Sequence, residues 1–260
     1  MRSLAARRYH RSAPLVLVLT LLALITGAYA LFTSAPARAE EFSDAQVAGG
    51  EKIFAANCAT CHGLNAEGGT VAPSLVGVGA ASVDFQVGTG RMPKQASGPQ
   101  AEAKPAQFNQ DEIDQLAAFV VSLGGSGPAI PTAEQVDGSL GNPATGMELF
   151  RTNCAMCHGS VGGGGALTEG KFAPPLFSTT PNHIYEAMLT GPQSMPVFNN
   201  ANISPEGKRD IIAYLEEQRG ASPGGLTLGS LGPVSEGLWG WLLGLGLIIG
   251  ITVWVGAKSS

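Results

Sequence analysis

Two long apolar runs, residues 15–33 and 237–257, stand near the two ends of a chain of 260 residues whose middle is far more polar. The first run follows a start that carries four arginines, and the second contains no charged side chain. A helix of about 20 apolar residues can span a bilayer. The pattern therefore predicts a transmembrane helix at each end, with the basic N-terminus in the cytoplasm and the middle of the chain exported.

The first run is also typical of a secretory signal, in which an apolar core of roughly 7–15 residues precedes a cleavage site with small residues. Ala37 and Ala39 would supply such a site. The run is long for a signal, which favours a retained helix. The second run has Trp239 and Trp241 at one end and Trp254 at the other, as in the aromatic belts of membrane helices.

Between the two runs, apolar residues recur at helical spacing, and no stretch sustains the alternation of a strand, so we predict an all-α fold. Asn109 followed by Glu112 is typical of a capping box at a helix start. Ser204 before Pro205 is typical of an N-cap followed by proline in the first turn. The apolar residues that share a helix face are Ile113, Leu116, Ala117 and Val120 in one helix and Ile211, Ile212 and Leu215 in another.

The polar middle also repeats itself. Residues 57–63 read NCATCHG and residues 153–159 read NCAMCHG, and together they contain all four cysteines of the chain. The flanking residues match in the same order, which indicates an internal duplication. The matched pairs are Gly50 with Gly146, Phe54 with Phe150, Pro73 with Pro174, Met92 with Met195, and Phe119 with Tyr214.

The pattern Cys-x-x-Cys-His is the attachment motif of c-type haem. Its two thiols bond to the porphyrin vinyl groups, and the histidine that follows lies beneath the iron as the proximal ligand. We therefore predict two covalently bound haem c groups. The attachment residues would be Cys58 and Cys61 for one haem and Cys154 and Cys157 for the other, with His62 and His158 as axial iron ligands.

The second axial ligand of each iron follows by elimination and by the repeat. Between the first motif and Gly146 the chain has no other histidine, and Met92 is its only methionine. The repeat then nominates Met195, for which His183 and Met188 are competing candidates. A methionine opposite histidine fills the last iron position and raises the potential, which favours electron transfer over oxygen or peroxide chemistry.

Other uses of two cysteine pairs compete with haem attachment. Four cysteines can bind zinc, a dithiol pair can act in redox exchange, and an exported chain can form disulfides. None of these uses requires a histidine directly after each pair, so haem is favoured.

The charge of the exported part constrains its partners. Residues 40–236 contain 20 acidic and 9 basic residues, a net charge of −11. Binding of nucleic-acid phosphates needs a basic face, so we expect no nucleic-acid partner. A basic patch on another protein would suit this segment.

Each copy resembles a class I cytochrome c domain in its Gly-Phe first helix, its CATCHG or CAMCHG motif, its proline loop, its Met-Pro pair and its aromatic last helix. The resemblance implies a hydrogen bond from the proximal histidine to the carbonyl of Pro73 or Pro174. It also implies that the first and last helices of each copy cross, so that Gly50 meets Phe119 and Gly146 meets Tyr214.

The whole chain resembles the dihaem cytochrome c subunit of actinobacterial cytochrome bcc complexes, which are menaquinol–cytochrome c reductases joined to a haem-copper cytochrome c oxidase. The resemblance implies cytochrome b and Rieske iron–sulfur subunits as partners, and electron relay from the Rieske protein to the oxidase. A dihaem subunit of a terminal oxidase or of a periplasmic dehydrogenase is the alternative. One departure is a loop in the second copy that is five residues longer before its proline.

The predicted chain is thus an all-α, multi-pass membrane protein with two tandem cytochrome c domains outside the cytoplasm. Its predicted segments are a cytoplasmic start (1–14), a transmembrane helix or signal (15–33), a first haem domain (43–123), a linker (124–143), a second haem domain (144–220), a second linker (221–236) and a transmembrane helix (237–257).

Overall fold

The computed structural model describes residues 12–32, 42–220 and 233–257. The chain divides into two compact units, residues 1–41 and 42–260. Some predicted features lie outside the described residues: most of the basic start, the small residues Ala37 and Ala39, and most of the second linker.

In the first unit, helix α1 covers Ala13–Phe32. Its apolar stretch within the described residues is Ala13–Gly27. A transmembrane anchor and a signal sequence would both form such a helix, so the helix agrees with both interpretations of the N-terminal run.

The second unit is mostly helical. Its first part contains α2 (Asp44–Asn57), α3 (Ala59–His62), α4 (Ala80–Gly88) and α5 (Gln110–Ser122). Next come the short α6 (Ala133–Val136) and a 3₁₀ turn (Gly138–Leu140). The later part contains α7 (Pro143–Asn153), α8 (Ala155–His158), β1 (Gly165–Ala166), a 3₁₀ turn (Thr168–Gly170), β2 (Phe172–Ala173), α9 (Pro181–Thr190), α10 (Pro205–Gly220) and α11 (Pro233–Ala257).

The predicted helix starts are confirmed by their hydrogen bonds. The Asn109 side chain accepts from the Glu112 N–H at 3.0 Å, and the Glu112 carboxylate accepts from the Asn109 N–H at 2.9 Å. Each bond satisfies a backbone donor that the first turn of a helix cannot pair internally. Ser204 Oγ likewise accepts from the N–H of Gly207 at 3.1 Å.

A first hydrophobic core forms where α2 crosses α5. A Cβ added at Gly50 would lie 1.8 Å from the Gln115 carbonyl oxygen and 2.9 Å from Phe119 Cβ, so only glycine allows the two backbones this approach. The rings of Phe54 and Phe119 pack beside the crossing with centroids 5.1 Å apart. The predicted contact between Gly50 and Phe119 is therefore confirmed.

A second core repeats this crossing with α7 and α10. A Cβ on Gly146 would lie 1.8 Å from the Asp210 carbonyl oxygen, which precedes Tyr214 by one helical turn, just as Gln115 precedes Phe119. The rings of Phe150 and Tyr214 lie 5.6 Å apart. The crossing is confirmed, although the atoms nearest to Gly146 belong to the backbone of α10 and not to the Tyr214 ring.

The segment predicted as a linker, residues 124–143, is packed against both cores. The Pro128 carbonyl accepts from the Ala81 N–H at 3.1 Å, and a Cβ on Gly79 would meet the Gly127 carbonyl carbon at 2.3 Å. Farther along, a Cβ on Gly141 would lie 2.8 Å from the Arg209 carbonyl oxygen. Several glycines of this segment are thus close contacts in the fold.

The two cores also touch each other directly. Helices α4 and α9 pack together, with the rings of Phe85 and His183 in an edge-on contact at 6.0 Å. The Gln193 side chain pairs with the backbone of Ala101, accepting from its N–H at 2.9 Å and donating to its carbonyl at 2.7 Å. These contacts join the cores within one compact unit.

One feature departs from the all-α prediction. Strands β1 and β2 form a small antiparallel pair, with Gly165 opposite Ala173 and Ala166 opposite Phe172. Strands of two residues are too short to show an alternating pattern in sequence.

Among the described residues, Gly237–Ala257 within α11 is the one segment long and apolar enough to cross a membrane.

The tight helix crossing generates a stability prediction. Gly50→Ala should lower the free energy of unfolding by about 1–3 kcal/mol, because the new methyl group meets a backbone carbonyl and forces α2 and α5 apart. The effect can be measured by thermal unfolding of the full chain, followed by circular dichroism.

Gly69→Ala is the matched control, since a Cβ there has no heavy atom within 4 Å. Its effect should stay within about 0.5 kcal/mol. Equal losses in the two variants would contradict the assigned role of the crossing.

Candidate functional site

Each Cys-x-x-Cys-His motif is wound into a single turn at the end of the first helix of its core. In the first motif, the N–H of Cys61 and the N–H of His62 both bond to the Cys58 carbonyl, at 3.1 and 3.0 Å. The corresponding distances from Cys157 and His158 to the Cys154 carbonyl are 3.1 and 2.9 Å. The turn therefore holds two sulfurs and an imidazole close together, and it does so twice.

Both histidine rings are held by a proline carbonyl. His62 Nδ1 lies 2.8 Å from the Pro73 oxygen, and His158 Nδ1 lies 3.0 Å from the Pro174 oxygen. A carbonyl can only accept, so Nδ1 carries the proton and Nε2 keeps its lone pair for a metal. Both hydrogen bonds expected from the resemblance are present.

The environment of His158 favours the neutral ring. Burial lowers the pKa of His158, and the hydrogen bond to Pro174 opposes that shift without cancelling it. A neutral imidazole is the form that binds metal. Burial and the hydrogen bond to Pro174 thus both keep His158 in the form that can bind a metal.

The proline loop reaches each histidine through a backbone turn that has the same geometry in both copies. The N–H of Gly68 bonds to the His62 carbonyl at 2.7 Å, and the N–H of Gly164 bonds to the His158 carbonyl at 2.8 Å. Both glycines have positive φ, +79° and +83°. A Cβ on Gly68 would lie 2.3 Å from the Ser74 nitrogen, so a side chain there would push the proline loop away from the histidine.

The longer loop of the second copy leaves this turn intact. Its additional residues fall between Gly164 and Pro174, where β1 and β2 pair with each other. The extra length therefore forms a small hairpin beside the second motif and does not alter the contact between His158 and Pro174.

The first cysteine of each pair is the more buried one. Burial, followed by the charge of the neighbouring cysteine, raises the pKa of Cys58 and that of Cys154 to about 11. Each motif thus offers two thiols and an imidazole with an open Nε2, which match donors of haem c.

The methionines predicted as second axial ligands lie in matching places. Met92 follows α4, with its N–H bonded to the Gln86 carbonyl at 2.9 Å, and it packs partly buried against the first core. Met195 follows α9 and packs partly buried against the second core.

The competing candidates for the second site have other surroundings. His183 Nε2 lies 3.7 Å from Asp84 Oδ2, on the helix that belongs to the first core. Met188 is 2% exposed and is part of the second hydrophobic core. These surroundings favour Met195 as the candidate ligand.

Two polar side chains that sequence reasoning did not assign to the site hold the loops of the second copy. The Tyr214 hydroxyl donates to the Ser160 carbonyl at 2.8 Å, just after the motif. Arg219 donates to the carbonyls of Leu176 and Thr179 at 2.7 and 2.5 Å. The one signal in the sequence was the replacement of Phe119 by a tyrosine at the matching position of the repeat.

Two family models match the chain in tandem. A model described as cytochrome c matches residues 47–124, and one described as cytochrome c oxidase, cbb3-type, subunit III matches residues 141–215. Each match contains one Cys-x-x-Cys-His motif.

Whole-chain relatives come from actinobacteria. The chain is 43% identical over 255 residues to the cytochrome bc1 complex cytochrome c subunit of Mycobacterium tuberculosis, covering 94% of this chain and 90% of the relative. It is 41% identical over 241 residues to the subunit of the same name from Corynebacterium efficiens, covering 86% and 80%.

A more distant similarity covers half of the chain. The Cbb3-type cytochrome c oxidase subunit CcoP of Azospirillum is 32% identical over 147 residues, covering 50% of this chain and 46% of the relative.

The site geometry predicts two separable haem attachments. Replacing Cys58 and Cys61 together by alanine should halve the haem bound per chain, because only one complete motif remains. The pyridine haemochrome spectrum of the denatured protein measures this ratio.

The matched variant, with Cys154 and Cys157 replaced by alanine, should give the same half value. An unchanged ratio in either variant would remove haem from the corresponding motif.

Proposed function

We propose that this chain, which belongs to the family of cytochrome bc1 complex cytochrome c subunits, is a membrane-anchored dihaem electron carrier in a quinol–cytochrome c reductase. It would take electrons from a Rieske iron–sulfur protein and pass them to a haem-copper cytochrome c oxidase. The observation that carries the proposal is the repeated turn in which a histidine Nδ1 faces a proline carbonyl, at 2.8 and 3.0 Å. The proposed organisation is two tandem class I cytochrome c domains, residues 43–123 and 144–220, between an N-terminal and a C-terminal span.

When bound, haem c supplies an iron that accepts and releases one electron by changing its oxidation state. The chain's own residues would hold that group in place. Cys58, Cys61, Cys154 and Cys157 would anchor it covalently, and the carbonyls of Pro73 and Pro174 would keep Nδ1 protonated on the ligating histidines. No bond to a substrate is made or broken, so the protein is an electron-transfer component and not a catalyst by itself.

Met92 and Met195 are proposed as the second axial ligands. A thioether opposite imidazole raises the potential of the iron relative to two imidazoles, since it stabilises the ferric form less well. Filling the last position also keeps oxygen from binding. Both effects suit a carrier placed between a quinol and a terminal oxidase.

A fixed arrangement of the two cores supports a relay within one chain. The Gln193–Ala101 pair and the packing of α4 on α9 hold the cores together. A tethered carrier meets its partner at a high effective concentration, provided that its geometry lets it reach both partners. The chain would thus replace a diffusing cytochrome c.

Membrane anchoring and partners follow from the same proposal. Helix α11 would anchor the haem domains on the extracytoplasmic side, and α1 would add a second span if it is retained. Cytochrome b and the Rieske subunit would be the neighbours in the reductase. The net charge of −11 over residues 40–236 suits basic patches on those neighbours or on the oxidase.

A second candidate function is a dihaem subunit of a terminal oxidase. It is favoured by the partial similarity to a Cbb3-type oxidase subunit. Purifying the native complex and identifying its subunits separates the two candidates: cytochrome b and Rieske subunits are expected for the first, and oxidase subunits alone for the second.

Axial ligation predicts a shift of potential. Met92→His should keep a six-coordinate iron but lower the potential of the haem attached at Cys58 and Cys61, since imidazole stabilises ferric iron better than a thioether does. A spectroscopic redox titration measures both haems. The haem of the second motif is the internal control and should keep its potential. If both potentials stay unchanged, Met92 is not a ligand.

The relay predicts electron flow without a soluble carrier. Membranes that contain the intact chain should move electrons from quinol to oxygen with no added cytochrome c. Replacing Cys154 and Cys157 by alanine should stop oxygen uptake while the haem at Cys58 and Cys61 stays reducible by quinol. This pattern assumes that the first motif is nearer to the electron donor.

The reciprocal variant, with Cys58 and Cys61 replaced by alanine, tests that order. It should leave the haem of the second motif reduced slowly by quinol, whereas fast reduction would reverse the order. Oxygen uptake that survives the loss of the second motif, or that needs soluble cytochrome c in the intact protein, would contradict the relay.

A further inference from the structure

Three chemically active side chains meet between the two cores and take no part in the proposed haem sites. Asp84 lies on α4 of the first core, whereas His183 and Glu186 lie on α9 of the second. One ligand atom from each of the three lies within 4.8 Å of the other two. Asp84 is 3% exposed and Glu186 is 0% exposed.

The surroundings of this cluster are shaped for it. A Cβ on Gly88 of α4 would lie 2.9 Å from His183 Nε2. The absence of a side chain at Gly88 therefore makes room for the imidazole of His183. The Gln110 side chain donates to Asp84 Oδ1 at 2.7 Å, which leaves Oδ2 directed at His183, 3.7 Å away. A ligand oriented by a hydrogen bond of this kind is typical of metal sites.

The two carboxyl groups of the cluster favour the binding of a cation. Two carboxyl groups buried close together cannot both ionise cheaply without a positive partner. A divalent ion would balance the charge of both carboxylates.

We infer that Asp84, His183 and Glu186 bind one divalent transition-metal ion that joins the two cores. One imidazole and two carboxylates match the ligands of Zn²⁺ and its first-row neighbours, whereas Ca²⁺ and Mg²⁺ prefer oxygen ligands alone. Tetrahedral zinc with bonds of about 2.0–2.1 Å separates its ligand atoms by about 3.3 Å. The three ligand atoms lie within 4.8 Å of one another, so an ion would draw them closer together.

An ion at this position would also affect the two loops that contain the proposed axial ligands. Helix α4 leads directly to Met92, and α9 leads to the loop that contains Met195. An ion held by both helices would fix the two proposed axial-ligand loops relative to each other. The inference does not depend on haem binding, because its three ligands are separate from the Cys-x-x-Cys-His motifs.

The test uses the full-length chain with its haem groups, purified in detergent without a polyhistidine tag. The protein is stripped with a chelator and equilibrated with Zn²⁺ alone, and bound zinc is counted by elemental analysis against haem iron. We expect one zinc per chain. Asp84→Asn, Glu186→Gln and His183→Ala should each weaken binding at least tenfold, and zinc should raise the thermal unfolding midpoint of the unaltered chain but not that of these three variants.

Asp114→Asn is the matched control, because Asp114 accepts from the same Gln110 side chain at 2.9 Å but is not one of the three ligands. It should bind zinc like the unaltered chain. Glu186→Gln keeps the side-chain shape, and an unchanged haem content verifies its folding. Zinc binding that is absent in the unaltered chain, retained in Glu186→Gln and Asp84→Asn, or lost equally in Asp114→Asn would overturn the site.

Discussion

The hydrogen bond from a histidine Nδ1 to a proline carbonyl is the constraint on which each half of this molecule is built. It fixes which imidazole nitrogen holds the proton and leaves the other free for iron. The proline loop can make this bond only if it returns to the motif, and Gly68 and Gly164 allow that return with a positive φ. The motif in turn depends on the crossing of the first and last helices of its core, which Gly50 and Gly146 make possible.

The second level of organisation is the contact between the two cores. Helices α4 and α9 pack together and so bring the segments before Met92 and Met195 side by side. The bond pair between Gln193 and Ala101 adds a link only two residues from Met195. In the proposed function, packing of this kind would hold the two haem sites in one fixed arrangement, which a flexible linker alone would not provide.

The features that could be predicted from sequence are those that rest on local chemistry or on the repeat. The capping box at Asn109 follows from a short pattern with one physical meaning, whereas the crossing at Gly50 and the histidine–proline bonds were implied by the resemblance of each copy to a class I cytochrome c domain. The membrane-crossing length of the C-terminal run follows from composition alone. Each of these is confirmed because few other structures would satisfy the same residues.

The features that could not be predicted arise from contacts between residues far apart in the chain. His183 was a candidate iron ligand in the sequence, and only the packing of α9 on α4 brings it to Asp84. Residues 124–143 were predicted to be a linker, whereas in the fold Gly127 and Gly141 make close contacts with the cores. The strands β1 and β2 are too short to show an alternating pattern. The sequence therefore revealed the extra residues of this loop but not that they form a hairpin.

The most direct test of the whole account is the number of free thiols in the natural protein after denaturation and reduction. The chain has four cysteines, and all four belong to the two motifs. If each motif holds a covalent haem, an alkylating reagent should label none of them, and the intact mass should exceed that of the sequence by two haem groups. Labelling of two or four cysteines, as expected for a zinc site or for disulfides, would contradict the account.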